Sequence, residues 1–156
     1  MKVRKAAHCS YRIRYHMVFV VKYRKGLITP EIFEFMKWIC KEIEKRYYLF
    51  FDALGYEDDH VHIVVEGAPQ YSPSRIMQIC KSILAIQIFK KFPKIKEEEL
   101  WGGEFWTDGG HIDTVGDGRG LDEVKNYVKN QGRNVNQLTL FEFNQHTPQL
   151  AAERTK

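Results

Sequence analysis

From Arg12 to Tyr23 the chain is dense in β-branched and aromatic residues, and the turn-forming Arg24-Lys25-Gly26 closes the run, a pattern that predicts a first strand. A helix start follows. Thr29 is placed to cap free backbone N–H groups, Pro30 suits the first helical position, and Glu31 complements the positive end of the helix dipole. Ile32, Phe35, Met36, Ile39 and Ile43 then recur at helical spacing as far as Arg46, giving one apolar stripe suited to a sheet.

Leu49 to Tyr56 and His60 to Glu66 read as two more strands, joined as a hairpin by Glu57-Asp58-Asp59. Pro69-Gln70-Tyr71-Ser72-Pro73 breaks the chain and offers Ser72 as the cap of a second helix. Its stripe is Ile76, Ile79, Ile83 and Ile86, with Phe89 or Ile88, and Pro93 ends it. After the charged turn Lys94 to Glu99, Phe105-Trp106 and His111 to Val115 read as the arms of a fourth strand interrupted by Gly109-Gly110. Gly116 to Gly120 is a flexible linker, and Leu121 to Gln131 a short third helix. The order strand, helix, strand, strand, helix, strand is that of two split βαβ units. It predicts an α+β, ferredoxin-like (RRM-like) sandwich, one antiparallel sheet with two helices on one face, plus the C-terminal helix. The other face is where a site can be built. Residues 1–136 form a single domain on this reading, and 137–156, with little periodicity, a C-terminal tail that is loosely held or packs on a partner.

At 156 residues with 44% hydrophobic positions the chain can bury a real core. The longest apolar run, Met17 to Val21, is far too short to cross a bilayer, and the N-terminus lacks the features of a signal peptide, so no membrane role and a cytoplasmic location are expected. Cys9, Cys40 and Cys80 are odd in number and widely spaced, which points to reduced, partly buried side chains rather than to a disulfide or zinc framework. The net charge of +4 is unevenly spread, since eight Lys and Arg residues precede the first acidic one, Glu31. That asymmetry suits a polyanion partner at one end of the fold, although a solvated basic strand and loop would produce it equally well.

The most informative stretch is Asp58-Asp59-His60-Val61-His62-Ile63-Val64-Val65. Residues two apart in a strand share a face, so His60 and His62 project together while Val61, Ile63 and Val65 enter the core. Two imidazoles side by side are a ready pair of metal ligands, though a His-x-His pattern also arises by chance in strands. In Asn126-Tyr127-Val128-Lys129-Asn130-Gln131, Tyr127 and Gln131 are four residues apart and lie on one side of a helix. A tyrosine on a short amphipathic helix is more often a packing residue, and the combination with the histidine pair is what singles it out.

In order along the chain, Tyr15-His16-Met17-Val18, the basic turn Lys22-Tyr23-Arg24-Lys25, Asp59-His60-Val61-His62, Trp101-Gly102-Gly103, Phe105-Trp106, Thr114-Val115-Gly116 and the helix with Tyr127 to Gln131 resemble the single-tyrosine HUH transposases of bacterial and archaeal insertion sequences. The resemblance spans Tyr11 to Asn134. It implies a ferredoxin-like dimer that cleaves and rejoins single-stranded DNA through a 5′-phosphotyrosine intermediate after recognising hairpins near the element ends. Mapped by the match, Tyr127 is the nucleophile, His60, His62 and Gln131 are the metal ligands, and Lys22, Arg24 and Lys25 contact DNA. In the family the tyrosine helix can serve the partner subunit's histidines, and a linker at Gly116 to Gly120 would permit that here.

The chemistry makes sense apart from the family. A phosphodiester is anionic and its leaving alkoxide poor, so a Lewis acid on its oxygens removes much of the barrier. A phenol, with a reference pKa of about 10, needs only transient deprotonation, and its phosphate ester conserves the bond for rejoining. Two imidazoles and an amide with open positions suit Mg2+ or Mn2+, and zinc is less expected without a thiolate or a third clear imidazole. Asp59 is placed to orient a histidine, Tyr23 and Phe105 to stack on unpaired bases, and Lys81, Lys90 and Lys91 to make lesser phosphate contacts. Other readings stay open on the residues alone. A domesticated relative would cut hairpins without mobilising itself, whereas a single-stranded nucleic-acid-binding module would carry aromatics at the centre of the open sheet face. A metal-dependent hydrolase would use His60, His62 and His111, and a purely structural domain would carry an incidental histidine pair. The glycine-rich Asp117-Gly118-Arg119-Gly120 and Asp108-Gly109-Gly110-His111 depart from the family pattern.

Overall fold

Alternation on two central strands organises the molecule. The structure, a computed structural model, describes residues 2–116 and 119–130. Its elements in chain order are β1 (Arg4–Lys5), β2 (Ser10–Tyr11), β3 (Arg14–Val20), a 3-10 turn (Lys22–Arg24), α1 (Pro30–Tyr47), β4 (Phe50–Glu57), β5 (His60–Glu66), α2 (Pro73–Lys91), a π-helical turn (Ile95–Glu99), β6 (His111–Thr114) and α3 (Arg119–Asn130). The main sheet runs β4-β5-β3-β6 with every neighbour antiparallel, which is the ferredoxin-like order, and β1 and β2 make a separate small ribbon.

Met17 and Phe19 of β3, Val21 just after it, and Val61, Ile63 and Val65 of β5 point to one side. There they meet Ile32, Met36, Ile39 and Ile43 of α1 and Ile76, Cys80, Leu84 and Ile88 of α2 in one dry core. Each such aliphatic side chain stabilises the fold by about 1.5–3 kcal/mol through burial, so this face holds the molecule together. Both long helices begin as their sequences dictate. Thr29 Oγ1 accepts from the Ile32 N–H at 3.3 Å and Ser72 Oγ from the Arg75 N–H at 3.2 Å, each with proline in the first turn. α1 stops at Tyr48, which takes a left-handed conformation and donates its N–H to the Glu44 carbonyl at 3.2 Å.

Several boundaries differ from the sequence reading. The first strand is Arg14–Val20 rather than Arg12 to Tyr23, because Tyr23 and Arg24 take positive φ (59° and 51°) and curl the chain out of the sheet. On α2 the predicted Ile76 and Ile79 are buried, but the inward face continues through Cys80, Leu84 and Ile88, which leaves Ile86 61% exposed despite its place in the predicted stripe. Phe105-Trp106 is not a strand arm. Trp106 makes one isolated bridge to Val21, both aromatics are buried in the core, and the fourth main strand is only His111–Thr114.

That short strand depends on the glycines before it. A Cβ at Gly110 would lie 2.9 Å from both the Val18 carbonyl oxygen and Met77 Cε, so only glycine lets the chain run this close to β3 and deliver His111 opposite Val18. Lys81 braces the same loop, donating to the carbonyls of Thr107 (2.7 Å) and Gly109 (2.5 Å), while the Trp106 indole donates to the Lys81 carbonyl at 3.0 Å. Burial lowers the Lys81 pKa, with Asp108 and Glu104 opposing. This lysine, considered for a phosphate contact, also braces the loop.

The second sheet face is also covered. α3 lies over β4 and β5, with Val124 buried and Tyr127 half-buried against Ala53, Val64 and Val115. The predicted third ligand, Gln131, and the 137–156 tail lie outside the described residues, as does part of the Gly116–Gly120 linker.

Candidate active site

On β5, alternation sends His60, His62, Val64 and Glu66 to the face opposite the core. Antiparallel register then sets Val20 across from His60, Val18 across from His62, His16 across from Val64 and Arg14 across from Glu66. From the other side β6 places His111 beside Val18 and Asp113 beside His16. Three strands thus concentrate His16, His60, His62 and His111 on one face, where α3 brings Tyr127.

The rings are in contact. His60 and His62 have centroids 4.9 Å apart, and His16 stacks on His62 at 5.3 Å with only 10° between planes, its Nε2 3.0 Å from His62 Nδ1. The Tyr127 ring stands edge-on to His62 at 5.7 Å and 87°. His111 sits beyond His16 at 6.5 Å and its Nε2 is 3.1 Å from an oxygen of Asp113. Burial, reinforced by His111 and opposed by Asp113, lowers the His16 pKa to about 3. Burial also holds His62 well below its ordinary value, with His16, His60 and His111 adding to the effect. Both rings are therefore neutral around pH 7, which is the protonation state a metal ligand needs.

Asp59 fixes the other histidine. One of its oxygens accepts from His60 Nδ1 at 2.5 Å and the other from Arg24 Nε at 3.1 Å, and the carboxylate is almost buried. A proton held on Nδ1 leaves the Nε2 lone pair of His60 available to a metal ion. For His62 to present Nε2 in the same way, its Nδ1 must donate to His16 Nε2, so His16 takes the orienting part that Asp59 takes for His60. Among the described residues no three His, Cys, Asp or Glu side chains are grouped to hold a metal. The pair His60 and His62, with both Nδ1 atoms engaged, fits a divalent ion whose remaining ligands are oxygens from an amide and from phosphate. His111 belongs to the His16–Asp113 group, so a site of His60, His62 and His111 is not formed.

The basic turn is tied down by acids. Lys22 Nζ is 3.4 Å from Glu104, Arg24 is bound to Asp59, and Lys25 Nζ donates to the Glu99 carbonyl at 2.5 Å and lies 3.3 Å from its carboxylate. Phe105, considered for base stacking, is 1% exposed and packs on Phe89 and Trp106. The sequence reading missed His16, Asp113 and a buried ionic cluster in which Arg14 pairs with Asp52 and Glu66. Arg4 joins it through Glu66 at 2.7 Å, and Lys125 of α3 reaches Asp52 at 3.5 Å. The available signal was parity. With Met17, Phe19 and Val21 in the core, Arg14 and His16 must share the opposite face.

The central face carries histidines and valines where a base-binding platform would carry aromatics. No helix among the described residues is long and apolar enough to cross a membrane. Comparison with known proteins agrees with the geometry. At 27% identity the chain is similar to the ISDra2 transposase TnpA of Deinococcus radiodurans, over 84% of this chain and 92% of that protein. It is also 27% identical to the transposase for insertion sequence element IS200 of Salmonella typhimurium, over 80% of each. Among solved structures, one from Deinococcus radiodurans described as a transposase matches with a TM-score of 0.65 and 26% identity, covering 82% of this chain and 97% of that one. A REP-associated tyrosine transposase bound to a REP hairpin shares the fold at a TM-score of 0.52 and 10% identity, covering 82% of this chain and 70% of that one. The family described as "Transposase IS200 like" matches residues 9–131, well over half of the sequence, and the chain belongs to that family.

Proposed function

We propose that this transposase cuts and rejoins single-stranded DNA at insertion-sequence ends, with Tyr127 as nucleophile at a site centred on His60 and His62. The observation that supports the reading most is the edge-on contact between Tyr127 and His62, because it sets a phenol from one element against an imidazole of the pair on another. In the cleavage step Tyr127 Oη gives up its proton to solvent and bonds to phosphorus. The P–O3′ bond breaks and the departing 3′ oxygen is protonated, leaving a 5′-phosphotyrosine and a free 3′-hydroxyl. Attack on that ester by another 3′-hydroxyl restores the phenol and joins a new junction, with no net loss of phosphodiester bonds.

His60, His62 and, by the family match, Gln131 would hold Mg2+ or Mn2+, which supplies Lewis-acid stabilisation of charge on the phosphate and leaving oxygens. The chain's own residues do the rest. Asp59 and His16 hold the two imidazoles in one tautomer, and α3 places the phenol on the same face. Subterminal DNA hairpins are the proposed recognition elements, and a homodimer, with α3 serving either its own or the partner's sheet, is the proposed assembly. The structural likeness to a transposase bound to a REP hairpin supports the hairpin.

The test mixes the protein with labelled single-stranded DNA from the flanks of its gene and Mg2+ or Mn2+, followed by a denaturing gel. A covalent adduct lost in Tyr127→Phe and His62→Ala is expected. Cleavage without an adduct would replace the reading with a hydrolase, and binding without cleavage with a single-strand-binding module.

A further inference from the structure

Two of the most exposed large side chains, Tyr23 at 65% and Trp101 at 71%, come from separate turns and meet with ring centroids 6.0 Å apart. Their backbones are unusual as well. Tyr23, Arg24 and Trp101 all take positive φ (59°, 51° and 49°) without being glycine, a conformation that disfavours side chains with a Cβ. The fold therefore holds these two rings out in water against both the hydrophobic effect and local backbone preference. A ligand that covers them would offset both.

The location narrows the ligand. The turn bearing Tyr23 is fastened to the one that leads into His60. Val21 N–H donates to the Asp59 carbonyl at 2.8 Å, Ile28 N–H to the Asp58 carbonyl at 2.9 Å, and Arg24 holds the Asp59 carboxylate. Lys25 Nζ lies 4.4 Å from the centroid of the Trp101 ring and Lys22 Nζ 5.9 Å from that of Tyr23, so cations border the aromatics. Glu99 and Glu104 pair with Lys25 and Lys22, and Glu97 and Glu98 lie on the adjoining turn. This mixture suits a ligand that brings a flat π-system and few phosphates. A duplex, with its dense charge and its bases stacked inside, would meet carboxylates and gain no stacking.

We infer that Tyr23 and Trp101 form a stacking platform for an unpaired base of the single-stranded DNA substrate, held beside the His60 end of the active site, with Lys22 and Lys25 contacting the flanking phosphates. The inference rests on the reading of this chain as a single-strand transposase, yet its own claim concerns base stacking and is measured apart from cleavage.

The experiment measures fluorescence anisotropy of three labelled probes: oligothymidylate, an abasic strand with the same backbone, and a duplex. The full chain is compared with Trp101→Ala, Trp101→Phe and Tyr23→Ala. Stacking on one aromatic predicts that Trp101→Ala weakens oligothymidylate binding roughly 5- to 100-fold, that Trp101→Phe retains most of the affinity, and that wild type binds the abasic strand about as weakly as Trp101→Ala binds oligothymidylate. Duplex binding stays unchanged. Equal affinities for oligothymidylate in all four proteins would overturn the platform. So would equal wild-type affinity for the base-bearing and abasic strands, or an effect of Trp101→Ala confined to self-association in sedimentation. Adduct formation by wild type in the gel assay keeps the two ideas separable. An adduct with no stacking effect removes the platform alone, and a stacking effect with no adduct removes the cleavage reading alone.

Discussion

The helix that carries Tyr127, the proposed nucleophile, docks through fewer described buried side chains than α1 or α2, and shortening Val124 to alanine should expose the difference. Val124 is 3% exposed and, with half-buried Tyr127, meets a small apolar patch of Ala53, Val64 and Val115 that is separate from the main core. Further described ties are the edge-on Tyr127–His62 contact and the Lys125–Asp52 pair at 3.5 Å, whose partners are 23% and 19% exposed. A partly exposed pair of that kind contributes at most about 1 kcal/mol. Val124→Ala removes two buried methyl-sized groups and leaves a small cavity, a loss of about 2 kcal/mol. That figure corresponds to a roughly 30-fold increase in the opening of α3. Hydrogen exchange of the α3 amides should speed up by that factor, and the rate of adduct formation should fall by up to the same amount. Exchange in β3 and β5 should not change, because Met17, Phe19, Ile63 and their helical partners lose no contact. A helix supplied by a partner subunit would meet the same groove, so the expectation holds for either arrangement. A drop in stability across the whole sheet, or unaltered α3 exchange, would refute the view that this helix is an independently docked unit.

Other perturbations test other parts of the design. Asp59→Ala removes the acceptor for His60 Nδ1 and Arg24 but keeps the main-chain bond to Val21, so it should lower Mn2+ affinity about 10- to 100-fold by titration calorimetry with the circular dichroism spectrum unchanged. Wild-type affinity would remove Asp59 from any orienting role. Gly110→Ala should destabilise the protein by about 1–3 kcal/mol in urea, since the Val18 carbonyl oxygen cannot move aside as a side chain would. Burial pushes the Cys80 thiol up to about 12 from 9.0, so the native state keeps its proton where the unfolded chain loses it. Stability should thus be unaffected by this group below pH 9 and decline from pH 9 towards 12. At pH 8 a thiol reagent should modify exposed Cys9 while leaving buried Cys40 and Cys80 intact until denaturant is added.

What the sequence makes legible is whatever depends on local periodicity. Thr29-Pro30 and Ser72-Pro73 announce helix starts because capping involves only near neighbours. His60 and His62 are found on one face because a strand alternates. What escapes it depends on register between distant strands. His16 is recognisable as facing away from the core, but its stacking on His62 follows from the pairing of Met17 with Ile63, which no local pattern specifies. Arg24 is similar. Its charge reads as a phosphate contact, but its pairing with Asp59, 35 residues away, through which it also steadies the acceptor of His60, is announced by no local pattern.

The division of the sheet into two unlike faces explains how a small domain tolerates such a site. Four histidines, Arg14, Asp113 and Glu66 on one side would be costly in a continuous core, because buried polar groups need partners and neutral rings must stay neutral. The opposite face supplies the stability instead, through the apolar contacts of α1 and α2. Freed from that duty, the histidine face needs only a cover that excludes water and brings in a phenol, and α3 does both with one buried valine and one half-buried tyrosine among its described side chains. With Tyr127 as the proposed nucleophile, a tighter cover would bury it beyond the reach of a DNA strand, and a looser one would leave it unplaced. On the proposed function, the element that delivers the nucleophile must also make way for the substrate, and docking through the few described contacts of α3 suits both demands.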